Sequence, residues 1–376
     1  MDIKKAIRKN LVNLPGWRTK RKIVVIESDD WGSIRIPSRE VYELLLRNGI
    51  PVDKYYFTKN DCLESETDLI SLFETLSSIK DKNLNHPVIT ANSVVANPDF
   101  IKIAESDKRE YHYELITETY KKYPNHSKVM KYWKEYGMNQ RMLWPQYHGR
   151  EHLNVKHWMQ VINTGILSEN LAFENKTLLG LSVPGEPIQK YNYMAAFEFD
   201  SPEHAIEIEK ITADGLMLFN RIFGFKSRSF VPSCSIQGEH IDQVLYEGGI
   251  MYHQCGQQFR PIGEGKIKAI NRFWGQRNKY NQMYWRRNCT FEPSRNQDYD
   301  WVDSCLKEIN IAFRWGKPAV INSHRVNYIG SIFPENRSKS LKSLKKLLNK
   351  ALRKWPDLEF MTSDNMGDII ANDLLN

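Results

Sequence analysis

The stretch Lys22–Pro37, "KIVVIESDDWGSIRIP", decides how this chain is read. Ile23, Val24, Val25 and Ile26 follow one another without a polar break. Such a run marks a strand buried on both faces, as in a parallel sheet. The run then enters Glu27, Asp29 and Asp30, three carboxylates within four residues. One aspartate can cap a following helix. Two at the end of an apolar strand exceed what a cap needs. At a bending strand end, one could bind a metal while its neighbour reaches the bound water.

Outward from this strand the chain alternates. Further strands are expected over 86–95, 226–235 and 357–363, and a short strand or loop over 141–152. Helices are expected over 65–81, opened by a Ser65/Asp68 capping box, and over 152–163, 202–224 and 338–354. Residues 240–255 and 302–324 each read as helix, glycine, strand. About seven βα units imply an α/β fold with a parallel sheet, open or closed into a barrel. Residues 107–140 and 165–200 break the alternation and read as insertions, the second compatible with a hairpin. The expected plan is a basic segment, 1–21, followed by one domain over 22–376.

Composition narrows the function. Of 376 residues, 41% are hydrophobic, enough for a sizeable core. The net charge of +8 is concentrated. Residues 1–22 and 335–354 each hold eight Lys/Arg against one acid, so the body of the chain is acidic. That argues against a nucleic-acid binder. The basic start could form an amphipathic helix touching an anionic membrane, though an ordinary solvated helix explains it as well. The five cysteines, at 62, 234, 255, 289 and 305, form no C-x-x-C, so no disulfide framework or zinc ribbon is expected. There is no leader-like apolar run and no window long enough to span a membrane, which gives the cytoplasm as the expected location.

Chemistry-bearing residues gather at strand ends. His148 and His152, in "HGREH", would share one side of a helix at i,i+4 spacing. Two imidazoles with a carboxylate make a common set for zinc or another divalent ion. His324 ends the apolar run "PAVIN". Asp300-Trp301 precedes the helix before it, where an aspartate could orient a histidine. The stretch 281–301 is rich in aromatic residues and arginine, which suits either sugar stacking or a loop anchored by buried rings.

These motifs resemble the polysaccharide deacetylases (carbohydrate esterase family four). "ESDDWGS", "HGREH" and "INSHRVNY" carry the likeness, which spreads from Ile23 to about Ser363. The resemblance implies a distorted (β/α) barrel of about seven parallel strands. It implies Asp29 as general base, Asp30, His148 and His152 as metal ligands, and His324 as general acid. Asp300 and Trp301 would correspond to the motif that tunes that acid. The family's arginine before proline is replaced by Val231, which leaves Arg228 as the candidate support for Asp29. The backbone N–H of Cys234 would be an oxyanion donor.

The expected activity is therefore removal of an acetyl group from an N- or O-acetylated saccharide. Zinc is the first choice of ion, with cobalt, manganese or nickel as alternatives. No covalent intermediate is required, and no G-x-S-x-G motif is present. Two other readings stand beside it: a metal-dependent amide hydrolase on the same barrel, and a non-catalytic glycan binder.

Overall fold

In the computed structural model, which describes residues 7, 9–180, 193–262 and 266–375, Ile23–Trp31 form a single strand, β1, buried along its whole length. Its side chains alternate. Val24 and Ile26 face outward into the principal core, with Leu69, Leu72, Ile309 and Leu344 from the surrounding helices. Ile23 and Val25 face inward and pack with Trp17, Trp285, Val320 and Met366 on the barrel floor. Glu27 and Asp29 continue that inward face. The strand thus climbs from an apolar floor to an acidic mouth. Burial of each aliphatic residue contributes about 1.5–3 kcal/mol.

The other strands of the sheet are β2 (Ile89–Val94), β3 (Leu143–Gly149), β4 (Ser229–Phe230), β5 (Tyr252–His253), β6 (Met283–Tyr284), β7 (Cys289–Thr290), β8 (Ala319–His324) and β9 (Glu359–Phe360). They are hydrogen-bonded in the order β6-β5-β4-β3-β2-β1-β8-β7, parallel throughout, with β9 beside the start of β1. The sheet has to curl. Laid flat, eight strands at about 4.8 Å spacing would separate the two edges by roughly 34 Å. Yet the edges, β6 and β7, are joined by the four residues Trp285 to Asn288, and five residue steps reach at most about 18 Å. The result is a distorted (β/α) barrel with one unpaired seam among the described residues, crossed by that link.

Helices cover the outside, including Glu66–Ser77 with its Ser65/Asp68 capping box, Pro202–Phe223, Trp301–Arg314 and Pro334–Lys354. Gly224 ends the second of these in the left-handed conformation, φ 84°. The stretch 107–140 contains helix Ile116–Lys122, helix Val129–Tyr132 and a π-turn, Trp133–Met138. It carries the chain from β2 to β3, and Ile116, Tyr120, Val129 and Trp133 enter the principal core. Within 165–200 the described residues hold helix Leu167–Glu174 and no strand, while 181–192 of the expected hairpin lie outside the described residues.

Most of the basic start, residues 1–6 and 8, also lies outside them. The residues after it are tied to the seam. Asn288 Nδ2 donates to Asn13 Oδ1 at 2.7 Å, Trp17 N donates to Trp274 O at 3.0 Å, and Lys9 pairs with Glu308. No helix among the described residues is long and apolar enough to cross a membrane.

Candidate active site

Three strand ends and two loops meet at the barrel mouth. Asp30 should point away from Asp29 on a regular strand, since neighbours alternate. Instead the β1–β2 register slips between Ser28 and Trp31, and Asp30 takes φ 76°. This bulge turns both aspartates into one site. Asp30 Oδ1 lies 3.2 Å from His152 Nε2 and 3.5 Å from His148 Nε2. The two histidines do not converge on a helix, as their spacing suggested. His148 is the last residue but one of β3, Gly149 reverses the chain at φ 133°, and the helix begins only at Val155. A side chain at Gly149 would meet Glu151 O at 2.8 Å, so the reversal needs glycine.

The set fits a divalent ion. His148 Nδ1 donates to Val231 O at 2.8 Å, which leaves the lone pair on Nε2, and that buried nitrogen has no hydrogen-bond partner. Burial lowers the His152 pKa despite Asp30, favouring a neutral imidazole ligand. Charge agrees. Glu27 and Asp29 pair with Arg287 and Glu292 with His324, while Asp30 is held by the two imidazoles, so the ligand set itself carries a carboxylate charge.

Asp29 is held by Arg287, which the sequence reading missed. Arg287 Nη1 and Nη2 donate to its two oxygens at 2.6 and 2.8 Å. Nε donates to Glu27 at 2.6 Å, and the remaining N–H groups reach Asn322 at 2.7 Å and Gln254 at 3.0 Å. All five donors are satisfied. Asn92 Nδ2 adds a bond to Asp29 at 2.7 Å. Burial alone would raise the Asp29 pKa, but Arg287 brings it down to about 2. Glu27 is the anchor of this arginine, and Trp285 Nε1 and Ser363 Oγ also donate to it, at 2.9 and 2.7 Å. Arg228, the expected support, is elsewhere: it pairs with Asp368 at 2.6 Å and stacks over Tyr252. Arg228 precedes β4, and its guanidinium is taken up by Asp368 and Tyr252 and does not reach Asp29.

His324 stands opposite Asp29 in the β1–β8 register, its Nε2 3.9 Å from Asp29 Oδ2. Its Nδ1 bonds Glu292 Oε1 at 2.5 Å, and Asn327 Nδ2 fixes the other Glu292 oxygen at 2.7 Å. Burial opposes the charge on His324, yet Glu292 raises its pKa to about 10. Asp300 and Trp301 do not take part. Asp300 is the exposed N-cap of the helix Trp301–Arg314, and Trp301 Nε1 donates to Asn296 O at 2.8 Å. Both line a separate groove beside Lys339 and Lys346. The cap bond draws Asp300 to its own helix, away from the barrel mouth.

A cavity of about 520 Å³ opens over these groups and includes Cys234, Asn322 and Lys9 in its walls. Cys234 sits in a tight turn at φ 54°, next to Pro232. The aromatic stretch 281–301 contributes no sugar platform there, because Tyr284 and Trp285 are buried.

No family model and no curated protein matches this chain. Solved structures give faint likenesses. One, described as a polysaccharide deacetylase from Mycobacterium smegmatis, is 9% identical with TM-score 0.45, over 96% of this chain and 95% of that one. Puue allantoinase is 10% identical with TM-score 0.42, over 93% and 90%. A polysaccharide deacetylase described from Pseudomonas aeruginosa is 8% identical with TM-score 0.42, over 92% and 90%. Likeness this distant says nothing of the chemistry at the barrel mouth.

Proposed function

We propose that this chain is a metal-dependent hydrolase that removes an acetyl group from an N-acetylated, or O-acetylated, sugar. The observation that carries the reading is the pairing across β1 and β8. An ionised Asp29 and a protonated His324 stand 3.9 Å apart beside the Asp30–His148–His152 set. A divalent ion on that set would acidify a water and polarise the acyl carbonyl.

Asp29 stays ionised across the neutral range and is placed to take the proton of the attacking water as its oxygen bonds the carbonyl carbon. His324 gives a proton to the sugar nitrogen or oxygen as its bond to that carbon breaks. Acetate and a free amine or hydroxyl leave. Asn322, Gln254 and Ser235 line the cavity with hydrogen-bonding groups that suit a polar substrate.

The test is acetate release from N-acetylglucosamine oligomers, with bound metal measured in parallel. Wild type is expected to hold metal and release acetate; Asp30→Ala and His148→Ala should lose both. Metal retained in both variants removes the site. Hydrolysis of small amides in place of the oligomers favours the amide-hydrolase reading, and oligomer binding without turnover favours a glycan binder.

A second prediction concerns pH. Glu292 is what raises His324, so Glu292→Gln should let its pKa fall toward the ordinary value of about 6.5. A raised pKa supplies the acid form at every pH below it. The variant's kcat/KM should therefore begin to fall near neutrality, while wild type holds to markedly higher pH. An alkaline limb unchanged in the variant would contradict the assignment of His324.

A further inference from the structure

A second group of ligand-type side chains lies outside the catalytic cavity, and nothing in the proposed reaction uses it. His157, on the helix Val155–Val161, places Nε2 3.6 Å from Asp200 Oδ2. His204, in the first turn of the helix Pro202–Phe223, places Nδ1 3.0 Å from Asp200 Oδ1. The imidazole centroids are 5.3 Å apart, and one ligand atom from each of the three residues lies within 4.8 Å of the others. None of the three lines the catalytic cavity.

Helix capping does not explain Asp200. Ser201 caps the helix, its Oγ accepting from His204 N at 3.2 Å. The corner holds two imidazoles and a carboxylate, with His204 Nδ1 hydrogen-bonded to Asp200 Oδ1. The charged partner is Lys156, whose Nζ lies 2.7 Å from Asp200 Oδ1. That ammonium takes one oxygen of Asp200 and leaves Oδ2 toward His157. His240 stands in the same corner, against Phe199, and neither of its shielded ring nitrogens has a hydrogen-bond partner.

We propose that His157, Asp200 and His204 form a second divalent-cation site of zinc-like preference. Two nitrogen donors with one oxygen favour zinc, cobalt or nickel over calcium or magnesium. The ion would tie the link 193–200 to the two helices beside it. Through Ala196 N, which donates to Ser233 Oγ at 2.9 Å, that link braces the turn Ser233–Ser235 on the wall of the catalytic cavity. The role is structural.

The test uses the full chain, stripped with chelator and titrated with Zn²⁺, and with Co²⁺ read by its visible absorption. Wild type should bind two equivalents. A variant carrying Asp30→Asn and His148→Ala should bind one, and Zn²⁺ should still raise its Tm. Adding His157→Gln, at a partly exposed position, should abolish that equivalent and the Tm shift while circular dichroism stays that of the folded protein. Lys156→Met should tighten it about threefold, the worth of a displaced exposed ion pair. An Asp30→Asn/His148→Ala protein that is folded by circular dichroism yet binds no metal overturns the proposal. So does an equivalent that survives His157→Gln combined with Asp200→Asn. Failure at the barrel mouth reads differently: wild type would then bind one equivalent, lost on His157→Gln and kept in the Asp30 variant.

Discussion

Replacing Arg287 with methionine is expected to destabilise the protein by about 3–5 kcal/mol and to lower kcat/KM by about 10²–10⁴-fold. Removing the guanidinium orphans Glu27, which is fully buried, and Asp29, which is nearly so. Burial already raises the Glu27 pKa even with Arg287 in place, so an unpaired Glu27 must take up a proton or force water into the barrel. Denaturant unfolding beside acetate release would measure both effects. The double variant Glu27→Gln/Arg287→Met separates them. Removing the buried charge should recover much of the stability, while activity stays lost because Asp29 is no longer oriented. A loss below about 1 kcal/mol in Arg287→Met would show that the pair is solvated and not the bracket described.

Arg325→Met should cost a similar amount, about 3–5 kcal/mol, by a different route. Arg325 has no exposed side-chain surface, and its partners Asp61 and Glu64 have none either. It donates to Glu64 at 2.9 Å, to Asp61 at 3.0 Å and to Ser33 O at 2.7 Å. Glu64 in turn accepts from Gly32 N at 3.1 Å and from the Tyr120 hydroxyl. The network therefore pins the turn that follows Asp30. Among the described residues, loss of Arg325 leaves the two acids with Arg35, 3.4 Å from Asp61, as their ion-pair partner. Thermal unfolding of Arg325→Met, alone and with Glu64→Gln, checks this. The second substitution should restore stability, and a further drop would contradict the charge argument.

The residues legible in the sequence share one property: they end strands that announce themselves. Asp29, Asp30 and His324 follow apolar runs, and His148 stands next to the end of a seven-residue strand. Arg287 and Glu292 gave no such signal. They flank β7, only two residues long, in the link across the seam and in the turn after it. No apolar run marks either position, and their partners lie far away in the chain. In the aromatic and arginine-rich stretch that contains them, the second of the two readings holds at Tyr284 and Trp285, which are buried, and Arg287 is the bracket. Residues 107–140 hid their core positions because two short helices and a π-turn break the 3.6-residue period. His148 and His152, four apart in the sequence, do come together, but through a glycine reversal in place of a helical turn.

The acids of β1 have a consequence for how the chain reaches its native state. On one side β1 is flanked by β2, about 60 residues downstream, but its other neighbour, β8, lies nearly 300 residues away. During synthesis the Ile23–Trp31 edge must wait, unpaired, until almost the whole chain has emerged. A long waiting edge of isoleucine and valine invites wrong pairing and aggregation. Glu27, Asp29 and Asp30 break that edge with charge, and Arg287, which pairs with Glu27 and Asp29, and the β8 end are both late arrivals. The carboxylates proposed to serve chemistry in the finished barrel thus also guard the nascent one, and a chain stalled before residue 287 has a base without its bracket.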